Sequence, residues 1–404
     1  MATAHSRRFR LIMFGSLYFV QGVGLAYFRN FQKPYLDSLG VSANLIGLLT
    51  TILLLPFILK IFIGMISDRV NLFGRGHRKP YIFSGLLLAA LAFGAAAFAN
   101  PASDFGLFAM LIVLGSFSVA LFDSTADGLA IDITPRAEQG TVQSFMVGGR
   151  ALGFIILSLV FGALVQNQGY RIVFLIIAAF MFLPMLWLRR AAEPAERDAG
   201  QQFQWQAFKV MAKPRFVIFG AYAIFYSIVA FGVDGLVTYA MSSNFNAPET
   251  TIGQYGALRG AGAILGAVLA GFLADRVGRK QSAYAAAVMV SIGAVLLGFA
   301  PSVNFILLLG LLWGLVWGFQ ETVFVALAMD LADVRIAASM FAIMMALSNL
   351  GTAVGEGVST ALTDDIGFSA VFWGLAAFNL ILFPILWGLF RAAPEVARPV
   401  FSEQ

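Results

Sequence analysis

The stretch Gly64-Met-Ile-Ser-Asp68-Arg69 recurs later in the chain as Gly271-Phe-Leu-Ala-Asp275-Arg276, each copy ending a long apolar run and each followed by more basic residues. A Gly-x-x-x-Asp-Arg phrase written twice, at the same place relative to its apolar run, predicts two similar halves whose solvent is largely hydrocarbon. The composition agrees. With 60% hydrophobic residues, 12% charged residues and a mean hydropathy of +0.85, the 404 residues carry too little polar surface for a soluble globular protein.

About twenty apolar residues take a helix across a bilayer. Breaking the chain where charges, Pro or Asn cluster predicts twelve such runs, near 11–32, 43–66, 81–99, 105–130, 141–165, 171–188, 216–240, 250–273, 282–300, 304–328, 338–361 and 369–390. Runs such as Leu86–Phe98 and Phe305–Leu312 are apolar on all sides, which favours helices over the alternating strands of a membrane barrel. The first run carries Gln21 and Arg29, lacks a small-residue cleavage site and is followed by eleven similar runs, so it is expected to stay in the mature protein. The predicted fold class is an all-α polytopic membrane protein, with twelve transmembrane helices in two six-helix pseudo-repeats. The long polar connection from Arg189 to Pro214 separates an N-terminal bundle, 1–190, from a C-terminal bundle, 215–404, with 191–214 as connector. Phe203, Trp205 and Phe208 within it fit either a short interfacial helix or a flexible tether.

Basic residues beside the runs set the orientation. Arg7, Arg8 and Arg10, then Arg69, Arg75, Arg78 and Lys79, Arg136, the connector, Arg276, Arg279 and Lys280, Arg335 and the C-terminal tail fall on one side. Both termini are therefore expected in the cytoplasm, with the chain in a bacterial cytoplasmic (inner) membrane. The net charge of +5 reports this topology and gives no argument for nucleic-acid binding. The absence of cysteine excludes disulfides and thiolate metal sites. His5 and His77 are too few for a histidine metal site, and Gly74-x-Gly76 lacks the pattern of a phosphate loop. No enzyme, no metal and no cofactor is expected.

A second repeat reinforces the first. Asp123-Ser-Thr-Ala-Asp127-Gly-Leu-Ala-Ile-Asp132 ends the fourth run and Glu321-Thr-Val-Phe-Val-Ala-Leu-Ala-Met-Asp330 ends the tenth, each with an acid nine residues before a terminal Asp. The same register brings Gly153 onto Gly351 in the runs that follow. Taken with the doubled Gly-x-x-x-Asp-Arg loop, the chain resembles the major facilitator superfamily over nearly its whole length. The resemblance implies that Gly64, Asp68 and Arg69, and Gly271, Asp275, Arg276 and Arg279, form loops that stabilise one transport state. It also implies two rocking halves around a central cavity and energy from an ion gradient. Lys60, the Asp123/Asp127/Asp132 series and Gly149-Arg150-x-x-Gly153 resemble the branch of muropeptide permeases, acetyl-coenzyme A transporters and folate-biopterin carriers. Gly74-Arg-Gly-His-Arg-Lys-Pro-Tyr81 is similar to a loop of glycoside and sucrose cation symporters.

Charges within lipid-length runs cost about 3 kcal/mol each on insertion scales unless they face a cavity or pair within the bundle. Lys60, Asp123, Asp127, Arg150, Asp234, Arg259, Glu321 and Glu356 are therefore the candidate substrate-binding or coupling residues. Asp123 and Asp127 share one helical face, where mutual repulsion favours uptake of a proton by one of them, and pairing with Arg150 or Lys60 is the structural alternative. Arg150 suits a carboxylate or phosphate, or else locks the fourth helix to the fifth. Arg259 suits substrate contact or pairing with Asp234 or Glu321, and Asp234, between Gly232 and Gly235, marks a local bend. Gln21 and Tyr27 in the first run offer hydrogen bonds and a stacking face, and Arg29 adds a base near its outer end. Trp313 and Trp317 are either a cavity wall or a packing face, and Gly-x-x-x-Gly pairs at 149/153, 262/266, 314/318 and 351/355 allow close helix contact.

The expected function is secondary active transport of a small polar or amphipathic, anionic metabolite by alternating access, coupled to H+ with Na+ as the alternative. The partners are a small-molecule substrate and membrane lipids, and a monomer suffices. A drug or lipid exporter and a nontransport membrane scaffold or pigment-protein assembly factor are the competing readings.

Overall fold

The computed structural model describes residues 6–72, 76–135, 138–193, 206–332 and 336–397, with backbone alone at Asp68, 206–208, Asp275, 337 and 338. Among the described residues, twelve helices are long and apolar enough to span a membrane. They are α1 (Arg7–Ser38), α2 (Ala43–Ser67), α3 (Lys79–Ala96), α4 (Phe105–Ile133), α5 (Gln139–Gln168), α6 (Arg171–Leu188), α7 (Pro214–Ser243), α8 (Glu249–Ala274), α9 (Arg279–Gly298), α10 (Val303–Leu331), α11 (Ser339–Ala361) and α12 (Thr363–Ala392). Each overlaps one of the predicted runs. Their starts carry the expected signals: Asp104 and Ser302 cap α4 and α10 by accepting from Leu107 N at 2.9 Å and Phe305 N at 3.4 Å, and Pro occupies the first turn of α3 and α7. Phe203 and Trp205 lie outside the described residues, and a short helix at Gln206–Met211 precedes α7.

The chain divides into two compact units: Met1–Gly40, Leu59–Gln202 and Pro248–Gly256 form one, and Val41–Ile58, Phe203–Ala247 and Ala257–Gln404 the other. Each unit thus takes in a short segment from the opposite sequence half. In the first, α1 lies directly on α5: a methyl group on Gly149 or Gly153 would collide with the carbonyl oxygens of Gly15 or Phe19. In the second, α7 and α11 meet in the same way, Gly351 and Gly355 lying against the carbonyls of Ile224 and Ile228. The second unit has a further interlock. Gly262 and Gly266 of α8 receive the backbone of α10 at Leu311 and Leu315, while Gly314 and Gly318 of α10 receive that of α8 at Arg259 and Ala263.

Two local expectations change. The bend predicted at Asp234 is absent, and α7 runs unbroken through it. Gly232 serves close packing instead, its Cβ position lying 3.2 Å from the carbonyl oxygen of Gly355. One irregularity lies in α1, where Tyr27–Phe31 form a π-helical turn and Pro34 just beyond it has no N–H to give the Asn30 carbonyl.

Candidate functional site

Three groups of buried polar side chains stand out, one in the first unit and two in the second. In the first, the acids of α4 face α1 and α2. Gln21 Nε2 donates to Asp123 Oδ1 at 2.9 Å, Lys60 Nζ lies 3.5 Å from Asp123 Oδ2, and the Tyr18 hydroxyl donates to Asp127. Asp123 is buried and Lys60 half-buried. These partners satisfy the α4 carboxylates without the arginine of α5. Among the described residues Arg150 makes no hydrogen bond or ion pair, and its guanidinium lies over the Tyr18 ring at 5.8 Å from the centroid. Of the two uses the sequence leaves open for Arg150, the tie of α5 to α4 through Asp123 or Asp127 has no hydrogen bond or ion pair among the described residues. The tie is made by Gly149 and Gly153 to α1, which leaves the guanidinium to other uses.

In the second unit Arg259 is fully engaged. Its Nε and Nη2 donate to Asp234 Oδ1 and Oδ2 at 2.9 and 2.7 Å, and Trp313 Nε1 donates to the same Oδ1 at 2.9 Å. The Trp317 ring covers the guanidinium at 3.9 Å, with Phe231 edge-on behind it. This is the Asp234 pairing allowed by the sequence, and it makes Trp313 and Trp317 walls of an ion pair.

The third group centres on Glu321, which accepts from the Tyr226 hydroxyl at 2.9 Å. That oxygen also bonds Ser348 Oγ at 3.1 Å, and Ser227 Oγ lies 2.8 Å from Ser348 Oγ. Gln320 donates to the Tyr222 hydroxyl at 3.0 Å. The repeat explains the resemblance of this arrangement to the first unit. Gly153 on Phe19 and Gly351 on Ile224 put Gln21 and Tyr226 in corresponding places, and each bonds the acid nine residues before its terminal Asp.

The remaining candidates fall elsewhere. Tyr27 is wholly buried against Phe174, centroids 4.9 Å apart, in an aromatic group that continues through Phe108 and the stacked pair Tyr35 and Tyr170. Burial raises the Tyr170 phenol above its ordinary range, and Glu249 and Tyr35 add to the effect. Arg29 is half-buried in the π-helical turn, and Glu356 is buried on α11.

At the helix ends, the side chains of Asp68 and Asp275 lie outside the described residues, Arg69 and Arg276 are exposed, and Gly271 has nothing within 4 Å of its Cβ position. Gly64 has Ser124 Oγ at 3.5 Å, an ordinary contact. The basic residues that follow each motif are more informative. Gly76 and Gly278 take positive φ, 126° and 94°, and turn the chain so that Arg78 and Arg279 reach the terminal acids of the second repeat. Arg78 Nε lies 3.5 Å from Asp132 Oδ2, and Arg279 Nε donates to Asp330 Oδ2 at 2.8 Å. The two sequence repeats are thus one device in each unit.

Glu193, just beyond α6, escaped the sequence reading. Its carboxylate accepts from the backbone N–H groups of His77, Arg78 and Lys79 at 2.7, 2.7 and 3.0 Å, capping α3 from 114 to 116 residues away. Tyr18 also escaped, because an aromatic residue in an apolar helix carries no signal of its own.

A sequence model of the Major Facilitator Superfamily matches residues 14–241 and 230–404. The chain is 34% identical over 218 residues to a folate-biopterin transporter of Synechocystis sp., an alignment covering 50% of this chain and 43% of that relative's length. It is 25% identical over 385 residues to a cis,cis-muconate transport protein of Acinetobacter baylyi, covering 90% and 89%. In structure it is similar to a mutant of the nucleoside transporter NupG, with a TM-score of 0.77 at 15% identity, covering 94% of this chain and 100% of that one.

Proposed function

The chain belongs to the major facilitator superfamily, and from that premise we propose that it is a proton-coupled symporter of small organic carboxylates. It is a multi-pass secondary transporter that moves small molecules by alternating access, in a family of carriers and not of enzymes. The substrate class, the ion and the residues are the proposal.

The observation that carries it is the contrast between Arg150 and Arg259. Arg259 is held bidentate by Asp234, whereas among the described residues Arg150 has only the Tyr18 ring. A guanidinium within a bilayer span is expensive without an acceptor, and a planar fork of donors suits a carboxylate. Folate and muconate, named for two relatives, are both carboxylates, which favours the same class. The likeness to the folate-biopterin transporter covers half of the chain, the half-length match expected where shared features are confined to part of a carrier.

Coupling follows from electrostatics. The positive charges of Arg150 and Lys60 both act on Asp127. A carboxylate seated on Arg150 offsets one of them and eases protonation of Asp127. By reciprocity the protonated carrier binds the carboxylate more tightly, which is the linkage a symporter needs. The distribution of basic residues favours cytoplasmic termini.

The test is uptake into sealed vesicles of labelled cis,cis-muconate and of folate, under separate pH and sodium gradients. Arg150→Gln is expected to weaken carboxylate affinity about tenfold or more, the value of a charge-assisted hydrogen bond, and acidification is expected to lower the wild-type KM. Movement of hydrophobic cations that ignores Arg150 would favour the drug exporter. Complete absence of flux, with copurification of a pigment-protein complex, would favour the scaffold.

A further inference from the structure

One side chain touches both charged groups that the reading above uses. The Tyr18 hydroxyl donates to Asp127 on α4, and the Tyr18 ring lies beneath Arg150 on α5, 5.8 Å from centroid to Cζ and within cation–π reach. The charged and titratable groups facing Asp127 are Asp123 on its own helix, Lys60 on α2, Tyr18 on α1 and Arg150 on α5. Lys60 is committed to Asp123, as is Gln21. Tyr18 is itself buried, and α1 is fixed against α5 by the backbone contacts at Gly149 and Gly153. Its ring therefore has little room to move except about its own two side-chain torsions.

We propose that Tyr18 is the positioning residue that links the anion-binding guanidinium of Arg150 to the proton-carrying carboxylate of Asp127, an inference that rests on the symport reading. An O–H donor favours the ionised carboxylate, so the hydrogen bond holds the ring in place while Asp127 is charged. Once Asp127 takes a proton, that hold is weakened, the ring is released from its angle, and the guanidinium above it is freed for the substrate carboxylate. The reverse also holds: an anion that draws Arg150 off the ring loosens the donor at Asp127. Proton and substrate thus meet through one rigid phenol, with no need for the two to touch.

Tyr18→Phe removes the donor and keeps the ring, whereas Tyr18→Leu removes both, and the full-length carrier serves for all measurements. Infrared titration in detergent, with Asp127→Asn as the control that assigns the band, reads the proton directly. In Tyr18→Phe the midpoint of that band is expected to move up by about one pH unit, the value of one lost hydrogen bond to a charged group. In vesicles, Tyr18→Phe is expected to keep the KM for cis,cis-muconate within about twofold at its own best pH. Tyr18→Leu is expected to lower it about fivefold, because the guanidinium no longer gives up a cation–π contact to bind the carboxylate. An unmoved midpoint in Tyr18→Phe, no titrating band lost in Asp127→Asn, or equal KM changes in the two variants would overturn the proposal. Failure of the symport reading looks different: wild-type vesicles would take up neither muconate nor folate. That outcome removes Arg150 as the anion site and overturns the link to substrate, while the infrared shift still decides the contact between Tyr18 and Asp127.

Discussion

Replacing Asp234 by Asn takes away a carboxylate that serves both a guanidinium and an indole within the bilayer. Three hydrogen bonds end on it, two from Arg259 at 2.9 and 2.7 Å and one from Trp313 at 2.9 Å, with both charged side chains almost fully buried. An Asn can accept at one oxygen only, and its amide presents hydrogen to a guanidinium that has none to receive it. Breaking a buried pair on one side costs about 3–5 kcal/mol, because the surviving charge stays desolvated without its partner. Removing both charges leaves no such orphan. Asp234→Asn is therefore expected to unfold in SDS with stability lowered by about that amount, and the double variant with Arg259→Gln to recover most of the loss. The double-mutant cycle should return a coupling of about 2 kcal/mol or more between the two sites. If the double variant were as damaged as the sum of the single ones, the pair would not be acting as a unit, and Arg259 would have to be reassigned as a second anion site.

The glycine contacts make a contrast within one residue type. Gly153→Ala, which forces a methyl onto the Phe19 carbonyl, is expected to lower stability by about 1–3 kcal/mol and the yield of folded carrier with it, whereas Gly271→Ala, with open space at its Cβ, should match wild type in the same thermal-shift measurement. Glu193→Gln removes the charge that accepts three backbone N–H groups. Hydrogen exchange at residues 77–79 should quicken by at least tenfold while exchange in α7 to α12 stays unchanged. Equal rates at 77–79 in the two proteins would mean that the cap is carried by other groups.

The sequence was most readable where hydrocarbon leaves a chain few choices. All twelve spans were legible because a helix in lipid must be long and apolar, and breaks such as Asn100-Pro101 or the Arg189-to-Pro214 connection cannot be placed inside one. The glycine pairs were legible for a related reason, since only a missing Cβ lets two backbones meet. The charged residues were legible as candidates and illegible as pairs. Asp123 had Lys60 and Arg150 as equally available bases, and only the direction of each side chain across three helices decides for Lys60. The π-helical turn at Tyr27–Phe31 has as its mark only Pro34, whose missing N–H does not by itself tell a kink from a π-turn. Glu193 could not be assigned from spacing at all, because its partners are peptide N–H groups, which every loop residue but proline possesses.

The repeat keeps some of its charged residues and not others. Asp123 and Glu321 correspond, and so do Asp132 and Asp330, each with a basic partner following its motif. Lys60 does not: counted back from Gly271, its counterpart is Ala267, and the counterpart of Arg259, counted back from Gly64, is Ile52. Each unit therefore has a base that the other lacks at the matching position, on α2 in one and on α8 in the other. Arg259 sits in a closed, bidentate and stacked arrangement, while Lys60 is 28% exposed at its side chain and 3.5 Å from its acid. The Lys60–Asp123 pair is thus the looser of the two. Lys60→Met should accordingly cost less stability than Asp234→Asn, because Asp123 keeps the bond from Gln21, and still abolish the pH dependence of carboxylate uptake. Lys60→Arg should restore that dependence. A Lys60→Met carrier with wild-type pH dependence would show that Asp127 and its Tyr18 donor couple without the lysine.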